Sequence, residues 1–105
     1  MTKQTPNYFA VIPAPVRYDK RLTEFQKLLY GEVSALSNLH GHCWASNGYF
    51  AGLYEKTERT ISKAVGALER CGYIKTRLYC REGKQHRIIK MVDRYVPALR
   101  KIMGD

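Results

Sequence analysis

The chain lacks the long apolar runs and the cysteine pairs that several protein classes require. No apolar stretch approaches the roughly 20 residues that cross a bilayer, and no signal-peptide pattern opens the 105 residues. The three cysteines are odd in number and show no C-x-x-C spacing, which argues against a disulfide framework. We therefore expect one domain that resides in the cytoplasm and does not contact a membrane.

Acidic residues are also scarce, since nine Asp and Glu stand against eighteen Lys and Arg, for a net charge of +9. Most of the excess is local: residues 56–90 carry ten bases and three acids, whereas residues 1–55 and 91–105 each have a net charge of +1. A localised positive field on a small domain indicates a polyanionic partner, most often nucleic acid. The alternative is a surface whose charge only keeps the domain soluble.

The signatures of catalysis are missing as well. No glycine loop precedes a Lys-Ser or Lys-Thr pair, no acidic residues are paired for metal binding, and no nucleophile has an evident base. His40, His42 and Cys43 have the chemistry of zinc ligands, but adjacent ligands in one loop cannot easily surround a tetrahedral ion. We therefore expect no catalytic residue, no metal and no cofactor, and interpret the chain as a binding protein rather than an enzyme.

Residues 46–73 show the pattern of two helices joined by a tight turn. Ser46 and Thr57 are good N-caps for the first and second helix, and Gly72 suits the left-handed residue that ends a helix. Ile61 begins an inner apolar stripe that recurs at three- and four-residue steps and also contains Ala64, Val65 and Leu68. The opposite, outer face of the second helix carries Glu58, Arg59, Ser62, Lys63, Gly66, Glu69 and Arg70. This is the organisation of a helix-turn-helix DNA reader.

The turn between those helices departs from the common pattern. Many helix-turn-helix units have glycine at the position of Glu55 and an aliphatic residue at that of Lys56. Either Glu55 adopts a left-handed conformation, at a cost of ~1–2 kcal/mol, or the turn has a different geometry. The sequence leaves both alternatives open.

The residues before this unit predict a strand and a scaffold helix. Tyr8 to Ile12 is apolar enough for a short edge strand ended by Pro13, with residues 16–18 also extended. Thr23 and Gln26 have the spacing of a capping box that opens a helix ending near Asn38 to Gly41. The apolar stripe of that helix comprises Phe25, Leu28, Leu29, Val33 and Leu36, and Trp44 after it is expected to fill the core.

The residues after the unit predict a β-hairpin. Residues 74–81 alternate, with Ile74, Thr76, Leu78 and Cys80 expected to face inward and a basic row expected to face outward. Arg81 to Lys84 is a turn, and residues 85–92 return as a second strand. The fold class is therefore α+β, a winged helix-turn-helix with three core helices, a two-stranded wing and a short N-terminal strand. We expect this domain to span residues 1–93, followed by a tail or the start of a linker or helix at 94–105.

From about Tyr8 to Val92 the sequence resembles the helix-turn-helix domain at the N-terminus of Gram-positive plasmid and phage replication proteins. That family includes RepA-type initiators, DnaD-like proteins and phage replisome organisers. The matching stretches are Y-F-A-V-I-P-A-P-V-R, L-T-E-F-Q-K-L-L-Y-G-E-V, C-W-A-S-N-G-Y-F-A and E-R-T-I-S-K-A-V-G-A-L-E-R-C-G-Y-I. The last stretch is common to many winged helices, whereas the N-terminal part favours replication proteins.

The resemblance implies binding to double-stranded DNA, often as a homodimer, with other replication proteins contacted through regions outside this chain. Carried over by position, the second helix would meet the major groove and the wing an adjacent minor groove or backbone. The candidate DNA-binding residues are Thr57, Glu58, Arg59, Thr60, Ser62, Lys63, Arg70, Arg81, Lys84, His86 and Arg87. A transcriptional regulator would share this chemistry, and a protein-interaction winged helix with an acidic partner is the remaining alternative.

Overall fold

The computed structural model describes residues 8–92, in which four helices precede two strands. The helices are α1 (Ala14–Arg17), α2 (Glu24–His40), α3 (Asn47–Tyr54) and α4 (Glu58–Arg70), and the strands are β1 (Ile74–Arg81) and β2 (Lys84–Met91). Helices α2 to α4 enclose the core and the hairpin follows them, so the predicted α+β winged helix-turn-helix is confirmed. The predicted tail at 94–105 and the boundary at residue 93 lie outside the described residues.

The expectations for the N-terminal segment are wrong. Residues 8–12 form no strand, and the segment predicted to be extended contains the short helix α1. Pro13 has the extended backbone of an N-cap, at φ −63° and ψ 152°, and Pro15 lies in the first turn, where a missing N–H removes no helical hydrogen bond. The two prolines therefore begin a helical turn, which buries Val16 completely.

Helix α2 is the scaffold on which the other elements pack. Its capping box is confirmed: the Gln26 N–H donates to Thr23 Oγ1 at 3.2 Å, and the Thr23 N–H donates to Gln26 Oε1 at 3.0 Å. Leu28, expected in the core, is 55% exposed, whereas Tyr30 is fully buried. The buried face centres near Val33, and Leu28 lies roughly 140° away from it around the helix.

Gly31 allows the N-terminal segment to cross α2 at close range. A Cβ at this position would lie 3.0 Å from Ala10 Cβ and 3.1 Å from Ile12 Cγ1. Next to it, the Glu32 carboxylate accepts hydrogen bonds from the hydroxyls of Tyr8 and Tyr54, the latter at 2.8 Å. Burial, together with these bonds, raises the pKa of both tyrosines. Close packing of the N-terminal segment against α2 thus explains why Gly31, a poor helix former, lies within this helix.

A second polar contact ties the start of the domain to the end of α4. The Tyr73 hydroxyl donates to Asp19 Oδ2 at 2.6 Å and to the Pro15 carbonyl at 3.1 Å. Arg21 forms an ion pair with the same carboxylate at 2.7 Å. The Asp19 side chain is only 7% exposed, and its hydrogen bonds, first of all that from the Arg21 side chain, hold its pKa well below the ordinary value.

The wing is an antiparallel hairpin whose register pairs Ile74 with Met91 and Arg81 with Lys84. Its two-residue loop, Glu82–Gly83, has φ values of 54° and 76°, the signs that a type I′ turn requires. The predicted turn at residues 81–84 is therefore confirmed.

The wing is joined to the core through Cys43, which forms an isolated bridge with Ile89 through backbone hydrogen bonds of 2.9 and 3.0 Å. Cys43 is fully buried, and burial raises the pKa of its thiol. The other two cysteines differ: Cys71 is half-buried and Cys80 is exposed.

The inward alternation of the wing holds only at its base. Ile74 and Ile89 are buried, but Leu78 is 61% exposed and Cys80 is exposed as well, because the hairpin extends past the helices. Trp44 does not fill the core and is 53% exposed. Its neighbour Cys43 points inward, and successive side chains of an extended chain point to opposite sides.

Candidate nucleic-acid interface

Both helices of the helix-turn-helix begin at a residue whose hydroxyl caps the helix, at the positions that the sequence predicts. Ser46 Oγ accepts from the Tyr49 N–H at 3.1 Å at the start of α3, and Thr57 Oγ1 accepts from the Thr60 N–H at 3.1 Å at the start of α4. The hydroxyls of Thr57 and Thr60 are also 3.0 Å apart and share a hydrogen bond. Both predicted DNA-contacting threonines therefore lie together at the first turn of α4.

The turn between α3 and α4 has the strained alternative geometry. Glu55 is left-handed, at φ 55° and ψ 47°, and the Lys56 N–H donates to the Ala51 carbonyl at 3.0 Å. The structure therefore decides between the two alternatives, and this turn includes a conformation that costs a non-glycine residue ~1–2 kcal/mol.

Helix α4 separates a buried side from an exposed side as predicted. Its inner residues Ile61, Ala64, Val65, Ala67 and Leu68 are buried against the other helices. The predicted contact residues Glu58, Arg59, Ser62, Lys63 and Arg70 are all exposed, and Thr60 is half-buried. The side chain of Arg70 reaches back over Gly66, where an added Cβ would lie 3.2 Å from its Nη1.

The wing and the N-terminus of α4 border the same groove. Arg81 on β1 and Lys84 and His86 on β2 are exposed, and both strands border a groove of about 560 Å³. We call this the wing groove, and it is lined by Trp44, Ser46, Asn47, Glu58, Leu78, Gln85, His86 and Arg87. Glu58 at the start of α4 and three residues of β2 therefore border one groove.

Arg87 differs from the other predicted contact residues because it is bound within the protein. Its Nη1 donates to Asn47 Oδ1 at 2.6 Å and its Nη2 donates to the Ala45 carbonyl at 2.8 Å. Burial lowers the pKa of its guanidinium, and its Nε is buried without a hydrogen-bond partner among the described residues. Arg87 thus ties β2 to the start of α3, and its contact with DNA stays a prediction.

Comparison with protein families matches residues 20–74 to a family described as a helix-turn-helix domain. The match takes in α2, α3 and α4 and more than half of the chain. The chain belongs to this helix-turn-helix domain family. Comparison with curated proteins and with solved structures gave no match. The helix-turn-helix assignment supports DNA binding, and α4 occupies the position of its second, DNA-reading helix.

The wing groove contains residues that sequence reasoning missed. Asn47 and Gln85 line the wing groove, and Asn47 orients Arg87. No spacing in the sequence connects residues forty positions apart. Trp44 could have been found, because an extended segment that buries Cys43 must turn the next side chain outward.

Two further properties concern the described part of the domain. Between residues 8 and 92, no three His, Cys, Asp or Glu side chains lie where they could hold a metal ion. Over the same residues, no helix has the length and apolar character needed to cross a membrane.

Proposed function

We propose that this helix-turn-helix domain binds double-stranded DNA in a sequence-specific manner. The observation that carries the proposal is the arrangement of α4 and the wing: they border one groove, and both carry exposed cationic side chains. In this arrangement α4 enters the major groove, and the wing contacts the neighbouring backbone or minor groove. The concentration of the net charge in residues 56–90 supports the same partner.

Base reading is assigned to the exposed side of the first two turns of α4. Arg59 and Lys63 are four residues apart, so they lie on one helix face and both can reach base edges. Each good bidentate contact discriminates against the wrong base by ~1–3 kcal/mol. Glu58, which lines the wing groove, has the acceptor chemistry for a cytosine amino group.

Phosphate binding is assigned to the hydroxyls at the start of α4 and to the wing. Thr57, Thr60 and Ser62 supply hydroxyls for phosphates at the edge of the DNA major groove. Arg70 supplies a cation at the C-terminal end of α4. Arg81 and Lys84 flank the turn at the tip of the hairpin, with His86 close by. Contacts of this kind fix the position of the domain on the duplex without reading its sequence.

The biological setting that we propose is replication: the DNA-binding module of a plasmid or phage initiator or replisome organiser, acting as a dimer at repeated sites. The support is the resemblance of the N-terminal stretches, from Y-F-A-V-I-P-A-P-V-R to L-T-E-F-Q-K-L-L-Y, to that family. A transcriptional regulator would use the same interface, so the genomic position of the bound sites decides between the two settings.

The test is selection of bound duplexes from a random pool at two salt concentrations. We expect one preferred site, repeated or palindromic if the domain binds as a dimer. Arg59→Ala should relax the preference at one base position. Lys84→Ala should weaken all sequences alike and make the salt slope less negative by about 0.9.

Lys20→Ala is the matched control, because Lys20 is an exposed lysine in the turn before α2 and does not line the wing groove. It should leave both the preference and the salt slope unchanged. Equal effects of Arg59→Ala and Lys84→Ala on every sequence would refute base reading by α4. Failure of the wild type to bind any duplex at low salt would refute duplex binding and favour an acidic protein partner for α4.

A further inference from the structure

The hairpin has a second surface, on the side opposite the core. Ile74 and Ile89 are buried on one side of the sheet, so the residues that alternate with them project from the other side. These residues form the outer sheet face: Lys75, Arg77, Tyr79, Arg81, Lys84, His86, Ile88 and Lys90. Trp44 joins this face through its ring contact with Tyr79.

The charges on the outer sheet face oppose one another across the strands. Lys75 pairs with Lys90 and Arg81 pairs with Lys84, so like charges lie directly opposite at both ends of the hairpin. Such pairs destabilise a sheet. The one acidic residue between positions 74 and 91 is Glu82, which lies in the turn. The stability lost to this repulsion would be regained by binding a polyanion.

Aromatic rings lie between these two charged pairs. The rings of Tyr79 and His86 are stacked at 5.3 Å with an interplanar angle of 25°. Trp44 meets Tyr79 edge-on at 6.1 Å and remains 53% exposed. Trp44 and His86 are exposed and Tyr79 is half-buried. Accessible aromatic rings flanked by cations are the arrangement on which the bases of single strands stack while their phosphates are neutralised.

We propose that the outer sheet face binds a single strand and is a second nucleic-acid site, distinct from α4 but sharing Arg81, Lys84 and His86 with the duplex interface. Bases stack on Trp44 and on the Tyr79–His86 pair, and phosphates lie against Lys75 and Lys90. The bases of a duplex are already stacked on one another and cannot occupy these rings. An acidic protein would satisfy the cations but would leave the rings without a partner. DNA and RNA single strands share the recognised chemistry of bases and phosphodiesters.

The first test uses the full chain and labelled single strands of about 15 nucleotides, the upper end of the sizes that small single-strand sites accommodate. Trp44 is the one tryptophan in the sequence, and its emission reports on this face and on the wing groove that it also lines. We expect oligo-dT and oligo-rU both to quench this emission with saturation. An acidic peptide of the same net charge should bind more weakly and leave the emission unchanged.

The second test separates the two sites by substitution. Trp44→Ala should weaken oligo-dT binding roughly 5- to 150-fold, the range that loss of one stacked base gives, measured by anisotropy of the labelled strand. The double variant Lys75→Ala/Lys90→Ala should make the salt slope for oligo-dT less negative by about 1.4 and leave duplex affinity unchanged. Its melting temperature should not fall, because the like-charged pair is gone. Lys63→Ala is the converse control and should weaken duplex binding alone.

Three results with nucleic-acid strands would overturn the single-strand site. They are an absence of oligo-dT binding at low salt, a Trp44 emission that does not respond to bound strand, and oligo-dT affinity that depends on Lys63 but not on Lys75 and Lys90. Equal affinity for the acidic peptide would assign the face to a protein partner and would also overturn it. If the wild type binds no duplex, only the proposed function is refuted, because the oligo-dT experiments do not depend on duplex binding.

Discussion

Replacing Arg87 by methionine should destabilise the domain through the contact between β2 and α3. The substitution keeps an unbranched side chain but removes the hydrogen bonds of 2.6 Å to Asn47 Oδ1 and 2.8 Å to the Ala45 carbonyl. Hydrogen bonds to charged groups contribute about 1.5–3 kcal/mol each, and removal of the buried, unpartnered Nε returns about 1–3 kcal/mol. The net loss in the free energy of unfolding should be about 2–3 kcal/mol.

Urea denaturation followed by circular dichroism measures this loss, and thermal unfolding should show a melting temperature lower by about 10–20 °C. Asn47→Ala removes one of the two acceptors and should cost about 1–2 kcal/mol. The double variant should lose less than the sum of the two, with a coupling energy of about 1 kcal/mol or more. Arg81→Met is the matched control on an exposed arginine and should change stability by no more than about 0.5 kcal/mol.

DNA binding provides an independent measure of the role of Arg87. If it braces the wing, Arg87→Met and Asn47→Ala should weaken duplex binding together, without altering the salt slope. If it neutralises a phosphate, Arg87→Met alone should make the slope less negative by about 0.9. Additive effects of the two substitutions on stability, or unchanged stability in Arg87→Met, would refute the brace.

Three further predictions concern the helical core. Gly31→Ala should destabilise the domain by about 1–3 kcal/mol in urea denaturation, because the added Cβ would lie 3.0 Å from Ala10 Cβ; a neutral result would mean that the N-terminal segment moves away freely. Glu55→Gly should raise the free energy of unfolding by about 0.5–1 kcal/mol, because relief of the left-handed strain exceeds the added entropy of the unfolded chain, and a loss of stability would contradict this. Hydrogen bonds, first of all that from the Arg21 side chain, lower the pKa of Asp19, so the ionised carboxylate stabilises the fold above about pH 5 and this stabilisation is lost as pH falls towards 2. Asp19→Asn should therefore flatten the dependence of the free energy of unfolding on pH in this range. The same pH dependence in the variant and the wild type would refute the assignment.

Local sequence signals predicted the parts of the fold that depend on neighbouring residues. The caps at Thr23, Ser46 and Thr57 need only a hydroxyl and an N–H within one turn, so their positions follow from spacing. Gly72 was expected to be left-handed and has φ 83°. The inner and outer sides of α4 follow from its regular period, because this helix packs on one side only.

The parts that failed depend on contacts between distant residues. The alternation of β1 could not show that Leu78 is exposed, because the sequence of the strand does not determine how far the helices extend alongside it. The sequence also contained no sign that Arg87, whose contact with DNA stays a prediction, forms hydrogen bonds within the protein. Its partners, Asn47 and Ala45, became visible only when the hairpin was placed against α3. The segment before α1 was misassigned because Pro13 and Pro15 are compatible with both a strand end and a helix start.

The graded burial of the three cysteines makes the wing accessible to chemical labelling. Cys43 is enclosed and its thiol resists ionisation, Cys71 is half covered, and Cys80 lies open on β1. A maleimide or spin label should therefore attach first at Cys80, without any engineered cysteine. A fluorescent label on Cys80 would report changes in the environment of the hairpin as ligands are added. Trp44 would serve as the second fluorophore for measuring a distance to that label.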